Sequence, residues 1–383
     1  MNYQTFGKTG LKISRFGLGC MRFPKTVLAD GSKMIEQDKV NEMVKYAYDN
    51  GVNYYDTAYL YPGSEKALGE AVKDIPREKI IITSKLPLAK FEKYDDCERF
   101  LDESLDALGT DYIDFYLLHS VIKKRWGIVK EHDLIGFMEK AKAAGKIKYI
   151  GFSFHDSLTF FKEIIDHYPW DMCQIQLNIL DTAHQAGLKG LHYAADKGIP
   201  VVIMEPLRGG ALVEKIPGEV QQLVNEYPVK KEMLEWAFKW LYHLPQVSTV
   251  LSGVSTLDQL KQNIDIADNS LPNSLTSEEQ DLITNIKESF ANYHKIGCTH
   301  CNYCMPCPQG VDIPGIFEFY NGTSMGSYVN HCKFQYTKFI YLPGHGADKC
   351  IECGECEEKC PQQLKIIDGL KAAHKVLLKS DMI

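Results

Sequence analysis

The sequence predicts an α/β chain: a (β/α)8 TIM barrel followed by a small iron–sulfur domain. Three observations carry that expectation. Eight short β-rich runs alternate with amphipathic helical patterns over the first two thirds of the chain, the rhythm of a barrel of about 250 residues. None of those runs is followed by G-x-G-x-x-G, so a doubly wound dinucleotide-binding sheet lacks its signature. Nine of the twelve cysteines crowd between Cys298 and Cys360, which sets a separate module at the C-terminal end.

The elements follow in order. Tyr3–Phe6 and Leu11–Ile13, joined by Gly7-Lys-Thr-Gly10, predict a small hairpin. Barrel strands are expected at Phe16–Gly19, Val52–Tyr55, Ile80–Ser84, Ile113–Leu118, Ile147–Phe152, Cys173–Leu177, Val201–Met204 and Thr249–Leu251. The helical patterns between them are Gln37–Asn50, Ser64–Val72, Asp95–Leu108, His132–Ala144, Ser157–His167, His184–Lys197 and Val229–His243. Leu257–Ala267 follows the last strand, and Ser277–Phe290 closes the barrel region. The domains are therefore expected to be 1–290 and 291–383.

Bulk composition narrows the function class. A net charge of −7 argues against non-specific nucleic-acid binding. The opening MNYQTFGKTG has no apolar leader core, and no run approaches the roughly 18 apolar residues of a membrane span, which predicts a cytoplasmic protein with no membrane partner. In a reducing compartment, clustered cysteines mean metal more readily than disulfides.

A barrel places its chemistry at the C-terminal ends of its strands. Those ends carry Gly19 with Cys20, Asp56 with Tyr61, Lys85, His119, Ser153, Gln174 with Asn178, Glu205, and Ser252 with Gly253. Asp56, Tyr61, Lys85 and His119 form one chemical set. An ammonium beside a phenol favours phenolate and lowers the Tyr pKa from about 10. A carboxylate holds that ammonium charged and in place, and a His orients a carbonyl by a hydrogen bond. Together they can protonate a carbonyl oxygen while hydride reaches its carbon. Each residue alone has a plainer reading: a surface Lys, its incidental Asp partner, a core His, and Tyr59 as a rival phenol in the same loop.

Asp56-Thr-Ala-x-x-Tyr61, Lys85 in Ile-Thr-Ser-Lys and His119 in Asp-Phe-Tyr-Leu-Leu-His resemble the catalytic tetrad of the aldo-keto reductases. Phe16-Gly-Leu-Gly19 and Ser64-Glu65 extend the likeness over roughly residues 1–290. The resemblance implies an oxidoreductase that interconverts a small aldehyde or ketone and its alcohol with NAD(P)H. It makes Tyr61 the general acid in place of Tyr59, Lys85 and Asp56 the groups that tune it, and His119 the carbonyl-orienting residue. It also implies cofactor contacts from Gly19, Cys20, Met21, Ser153 and Gln174.

Other cofactor positions depart from the family pattern. Phe154 stands where an Asn follows the Ser, and Met204, in Met204-Glu-Pro-Leu207, stands where an aromatic ring stacks on nicotinamide. Leu207, Arg208 and Gly209 still offer backbone donors and a cation for a pyrophosphate. Gly253, Ser255, Gln259 and Asn263 resemble the family's adenosine-phosphate site, without the Arg that would mark a 2′-phosphate.

The tail reads Cys298-Thr-His-Cys301-Asn-Tyr-Cys304-Met-Pro-Cys307-Pro308 and later Cys350-Ile-Glu-Cys353-Gly-Glu-Cys356-Glu-Glu-Lys-Cys360-Pro361. The second run has bacterial ferredoxin spacing, in which the fourth Cys reaches the other cluster. That logic assigns Cys298, Cys301, Cys304 and Cys360 to one 4Fe–4S cluster, and Cys307, Cys350, Cys353 and Cys356 to a second. The first run has two residues rather than three before Cys307, so its fourth ligand follows less directly. Zinc is the competing metal, and Cys332 is left as a packing residue or spare thiol.

The whole chain thus resembles the ferredoxin-bearing branch of the aldo-keto reductases. Nicotinamide yields two electrons as hydride, whereas a cubane takes one at a time. Direct exchange needs a mediator, so a flavin in the barrel and a redox protein partner stand beside the nicotinamide reading. A non-catalytic electron-carrier or interaction module is the remaining alternative, and the intact tetrad argues against it.

Overall fold

The computed structural model describes residues 1–28, 32–214, 216–291, 293, 295–324 and 329–378. An antiparallel hairpin, β1 (Tyr3–Thr5) and β2 (Lys12–Ser14), comes first. The barrel begins with β3 (Phe16–Gly19), after which β4 (Lys25–Val27) and β5 (Lys33–Ile35) form a second hairpin. Seven further strands complete the barrel: β6 (Tyr54–Asp56), β7 (Ile81–Leu86), β8 (Ile113–Val121), β9 (Ile147–Phe154), β10 (Met172–Gln176), β11 (Val201–Met204) and β12 (Val247–Ser252). All eight barrel strands are parallel, and β12 pairs back to β3 to close the ring.

The expected barrel is therefore present, with its strand limits displaced by a few residues. β8 and β9 run on to Val121 and Phe154, so His119 and Ser153 lie within strands rather than just beyond them. Pattern reading also misses the β4–β5 hairpin and the helices Lys123–Glu131 and Gly218–Glu226. Lys123–Glu131 has too few apolar residues to show a clear period, whereas Gly218–Glu226 carries Val220, Leu223 and Val224 at helical spacing, a signal that pattern reading passes over. The helix expected from His184 starts at Gly187 instead, because Gln185 and Gly187 hold φ of 54° and 55°, backbone that cannot continue a right-handed helix.

Two compact units make up the fold: Met1–Pro206 with Ala237–Leu275, and Leu207–Trp236 with Thr276–Ile383. In the first, the hairpin residues Phe6 and Ile13 join Tyr54, Ile81, Phe115, Leu117, Met172, Val202 and Leu251 in one buried cluster that floors the barrel. The Phe6 ring meets Phe115 edge-on at 5.2 Å. Burying a side chain of this size contributes about 1.5–3 kcal/mol, so the hairpin stabilises the barrel rather than decorating it. The second unit has its own core, in which Ile313, Ile316, Phe317, Tyr336, Ile366, Leu370 and Leu377 pack among the tail cysteines. Cys332 belongs to that core, 1% exposed, as a packing residue.

Candidate functional site

Side chains alternate between the two faces of a strand, so the barrel floor dictates what stands above it. Counting upward in twos, Tyr54 leads to Asp56, Ile81 to Lys85, Phe115 to His119, Met172 to Gln174 and Val202 to Met204. On β9 the count passes Gly151 and reaches Ser153. Gly151 is required there, since a Cβ would stand 2.7 Å from the side chains of Leu117 and Met172. Asp56, Lys85, His119, Ser153, Gln174 and Met204 thus form the upper inward layer of one barrel.

Lys85 Nζ donates to Asp56 Oδ1 at 2.7 Å and to the Thr57 carbonyl at 2.7 Å. Both side chains of the pair are almost wholly enclosed. Burial pushes the Asp56 carboxyl above its ordinary range, against the pull of the Lys85 ammonium and of Gln174. Replacing Asp56 with Ala leaves that ammonium buried without its counter-charge. The expected loss is about 3–5 kcal/mol. Urea unfolding of Asp56→Ala, beside a double variant with Leu at Lys85, checks this: the double variant should be the more stable of the two.

Tyr61 follows the strand in a loop held at several points. Its N–H donates to the Ala58 carbonyl and its carbonyl accepts from Ser64, each at 2.9 Å. Thr57 and Ser64 share a 2.8 Å hydroxyl contact, and Ser64 Oγ donates to the Cys20 carbonyl at 3.0 Å. The Tyr61 ring consequently stands 5.1 Å from Lys85 Nζ and edge-on to His119, with centroids 5.9 Å apart. Tyr59, the rival phenol, donates instead to Glu103 at 2.6 Å and packs on Phe100.

His119 sits in an irregularity of β8 between Leu118 and Val121, a device that re-aims a side chain. Ser120 there has φ of 56°, and its N–H donates to Ser153 Oγ at 2.7 Å. The Ser153 oxygen therefore stabilises the bulge, leaving its hydroxyl proton to donate elsewhere. Arg125 Nη1 donates to the Ser120 carbonyl and Oγ at 2.9 and 2.8 Å.

Burial, reinforced by Lys85, Arg125 and His155, pushes His119 well below the ordinary His range. Burial likewise lowers His155 to about 3. Both are neutral in the folded protein at neutral pH, whereas unfolded His binds a proton near pH 6.5. Unfolding then takes up protons below that pH, so this contribution is complete above about pH 6.5 and is lost progressively as pH falls toward the folded values. Urea midpoints should fall between about pH 7 and about pH 5, and less steeply in His155→Gln. Identical slopes in the two proteins go against buried neutral histidines.

The remaining first-unit candidates gather where β3 and β12 adjoin. A Cβ on Gly19 would lie 3.4 Å from the backbone of Ser252 and Gly253. Cys20 is buried, with its thiol pushed up by enclosure and by Asp56, and Met21 is half-buried beside it. Ser255 N–H donates to Gln259 Oε1 at 3.0 Å, and Asn263 Nδ2 donates to Ser252 Oγ at 2.9 Å. Arg22, which sequence reasoning missed, packs its side chain over Gly253 and accepts from Ser255 through its carbonyl. Its position next to the Cys20-Met21 turn was the available signal. Gln174 Oε1 and Asn263 Oδ1 are buried acceptors with no partner among the described residues.

Leu207, Arg208 and Gly209 belong to the second unit, where Arg208 and Gly209 take φ of 51° and 69°. Arg208 Nη2 lies 2.9 Å from where a Gly297 Cβ would stand, next to Cys298. Around the cysteines the unit has two small pockets. Cys298, Cys301, Cys304 and Cys360 line one, with Pro361. Cys307, Cys350, Cys353 and Cys356 line the other, which Cys304 also touches.

The two cysteine runs share a backbone device the sequence hides. His300 and Asn302 flank Cys301 with φ of 53° and 62°, and Glu352 and Gly354 flank Cys353 with φ of 58° and 80°. Such alternation turns successive N–H groups toward one concavity, which suits an anion. Burial, with the nearby Cys301, Cys298 and Cys360, pushes the Cys304 thiol up to about 12. A thiol so disposed ionises only when a metal replaces its proton. Among the described residues, no three His, Cys, Asp or Glu groups converge on the point a single ion would occupy.

Comparison with known proteins agrees with both halves. The aldo/keto reductase family model matches residues 15–285, and a 4Fe-4S dicluster domain model matches residues 297–365. L-galactose dehydrogenase of Arabidopsis thaliana is 28% identical over 288 residues, 68% of this chain and 86% of its own length. NADH-specific methylglyoxal reductase of Escherichia coli is 25% identical over 307 residues, covering 67% and 91% of the two chains. Aldo-keto reductase AKR11C1 from Bacillus halodurans, in its holo form, superposes with a TM-score of 0.62 at 26% identity, covering 75% of this chain and 96% of its own. No helix of the described residues is long and apolar enough to cross a membrane. The chain belongs to the aldo/keto reductase family of oxidoreductases, and its sequence continues into a 4Fe-4S dicluster domain.

Proposed function

We propose that the barrel reduces a small aldehyde or ketone to its alcohol, or runs the reverse, with Tyr61 as general acid. The observation that carries this is the enclosed Lys85–Asp56 pair 5.1 Å below the Tyr61 ring, with neutral His119 against the ring's edge. Bound nicotinamide supplies the hydride. Neutral His119 can donate from one ring nitrogen to the carbonyl oxygen, and Tyr61 gives that oxygen its proton. Lys85 stabilises the phenolate left behind, while Asp56 and the Thr57 carbonyl fix the ammonium in place.

The residues present fit a nicotinamide dinucleotide. Buried Gln174 Oε1 has acceptor capacity for a carboxamide N–H, with the Ser153 hydroxyl as a donor on the neighbouring strand. Asn263 Oδ1 has the same capacity for an adenine amino group. The glycine-lined junction of Gly19 and Gly253, with Cys20, Met21, Ser255 and Gln259, gives close backbone approach. Met204 would pack on the ring. The Escherichia coli relative is named for methylglyoxal and NADH, which makes small dicarbonyls the first substrates to try.

The tail fits two 4Fe–4S clusters, which supply one-electron chemistry when bound. Cys298, Cys301, Cys304 and Cys360 line one pocket and Cys307, Cys350, Cys353 and Cys356 the other, the division that ferredoxin-type spacing assigns to two clusters. The proposed domains remain the barrel of 1–290 and the cluster domain of 291–383. Anaerobically purified full chain, assayed for NADH and NADPH oxidation against methylglyoxal and simple ketones, tests the barrel's part. Turnover with neither nucleotide, together with resolved flavin absorption bands, would move the reading to a ferredoxin-linked oxidoreductase with flavin in the barrel.

A further inference from the structure

The two cysteine pockets differ in ways that bear on electron affinity. Thr299, between the ligands Cys298 and Cys301, lines the first pocket and is 1% exposed. Its Oγ1 has no hydrogen-bond partner among the described residues. A buried hydroxyl left unsatisfied costs about 1–3 kcal/mol, so an acceptor within hydrogen-bond reach of it is favoured. The only acceptor chemistry a cubane presents there is sulfide or cysteinate sulfur.

Charge differs in the same direction. Between Cys298 and Cys307 the chain has no carboxylate, and the Arg208 guanidinium lies beside Gly297, adjacent to Cys298. Between Cys350 and Cys360 it has Glu352, Glu355, Glu357 and Glu358 against Lys359; Glu355 and Lys359 line the second pocket, while Glu357 faces both Cys356 and Cys360. Lys371 and Lys359 pair with Glu352 and Glu355 at 2.8 and 3.1 Å, on exposed side chains where screening is strong. Cys353 is exposed and its neighbour Ile351 is 62% exposed, whereas every first-pocket cysteine is half-buried. No hydroxyl-bearing side chain lines the second pocket.

We propose that the two clusters are poised unequally, with Thr299 donating a hydrogen bond that holds the Cys298–Cys301–Cys304–Cys360 cluster at the higher reduction potential. The proposal rests on the two-cluster reading above. A hydrogen bond to sulfur and a nearby cation both stabilise the extra electron of the reduced cluster, and nearby carboxylates oppose it. A single electron delivered by a one-electron carrier at the solvent-facing Cys353 side then passes to the first cluster, oxidising the second by one and reducing the first by one. Thr299 is a positioning residue for charge, not a ligand.

Potentiometric titration of the anaerobic full chain, followed by electron paramagnetic resonance, tests this after iron has been measured. The wild-type protein should show two separable one-electron waves. Thr299→Val should move the higher wave to more negative potential and leave the lower one in place, while Thr299→Ser keeps both near wild type. A Val variant with full iron and unmoved waves overturns the role of Thr299, as does a Ser variant shifted as far as Val. If Val fails to hold iron, the wild-type titration still decides: one unresolved wave for both clusters refutes unequal poise. Iron well below the two-cluster content in wild type counts against the cluster reading instead.

Discussion

Tyr61→Phe should lower kcat for carbonyl reduction by about 10²–10⁴ while leaving nucleotide affinity and cluster content unchanged. The replacement removes one oxygen and keeps the ring that packs on His119 and over Lys85. Loss of proton donation therefore appears in the chemical step and not in folding. Steady-state kinetics with the best carbonyl substrate, beside nucleotide fluorescence titration and iron analysis, separates the effects. Retained turnover in Tyr61→Phe would remove the phenol from the mechanism. Tyr59→Phe is the control, because that hydroxyl is bonded to Glu103 and should cost little activity.

About eight irons per chain are expected in the anaerobic protein, with matching sulfide, and Cys301→Ala should bring the count to about four. The reasoning is geometric. Cys301 lines only the pocket that holds Cys298, Cys304 and Cys360, so its loss should spare the set of Cys307, Cys350, Cys353 and Cys356. Because the tail core packs directly against these cysteines, the variant should also unfold at lower urea. Zinc in place of iron, or four irons in the wild-type chain, would overturn the two-cluster arrangement.

Much of this protein was legible in its sequence. The alternation of strand and helix patterns is local and strong, which is why the barrel, the opening hairpin and most helices could be placed before any coordinates. The cysteine spacing carried the dicluster domain in the same way, since a short x-loop admits few ways to wrap a cluster. Asp56, Lys85 and His119 could be picked out as a set because a barrel's topology brings successive strands side by side.

Tertiary structure decided the rest. Only the register of the closed sheet shows that the three residues share an inward face, two and four positions above Tyr54, Ile81 and Phe115. The bulge that aims His119 needs the Ser153 hydroxyl from the next strand, a contact between residues 33 apart that no local pattern encodes. Arg22 joins the Gly253 loop only because β3 and β12, the first and last strands, meet at the closure. In the tail, left-handed backbone falls on Asn302 and Gly354, whose residue types favour it, and also on His300 and Glu352, and in Glu352 nothing in the residue type announces it. Composition and spacing thus determined which groups the chain owns and the fold that carries them. Long-range pairing, which sequence periodicity cannot report, determined which of those groups face one another.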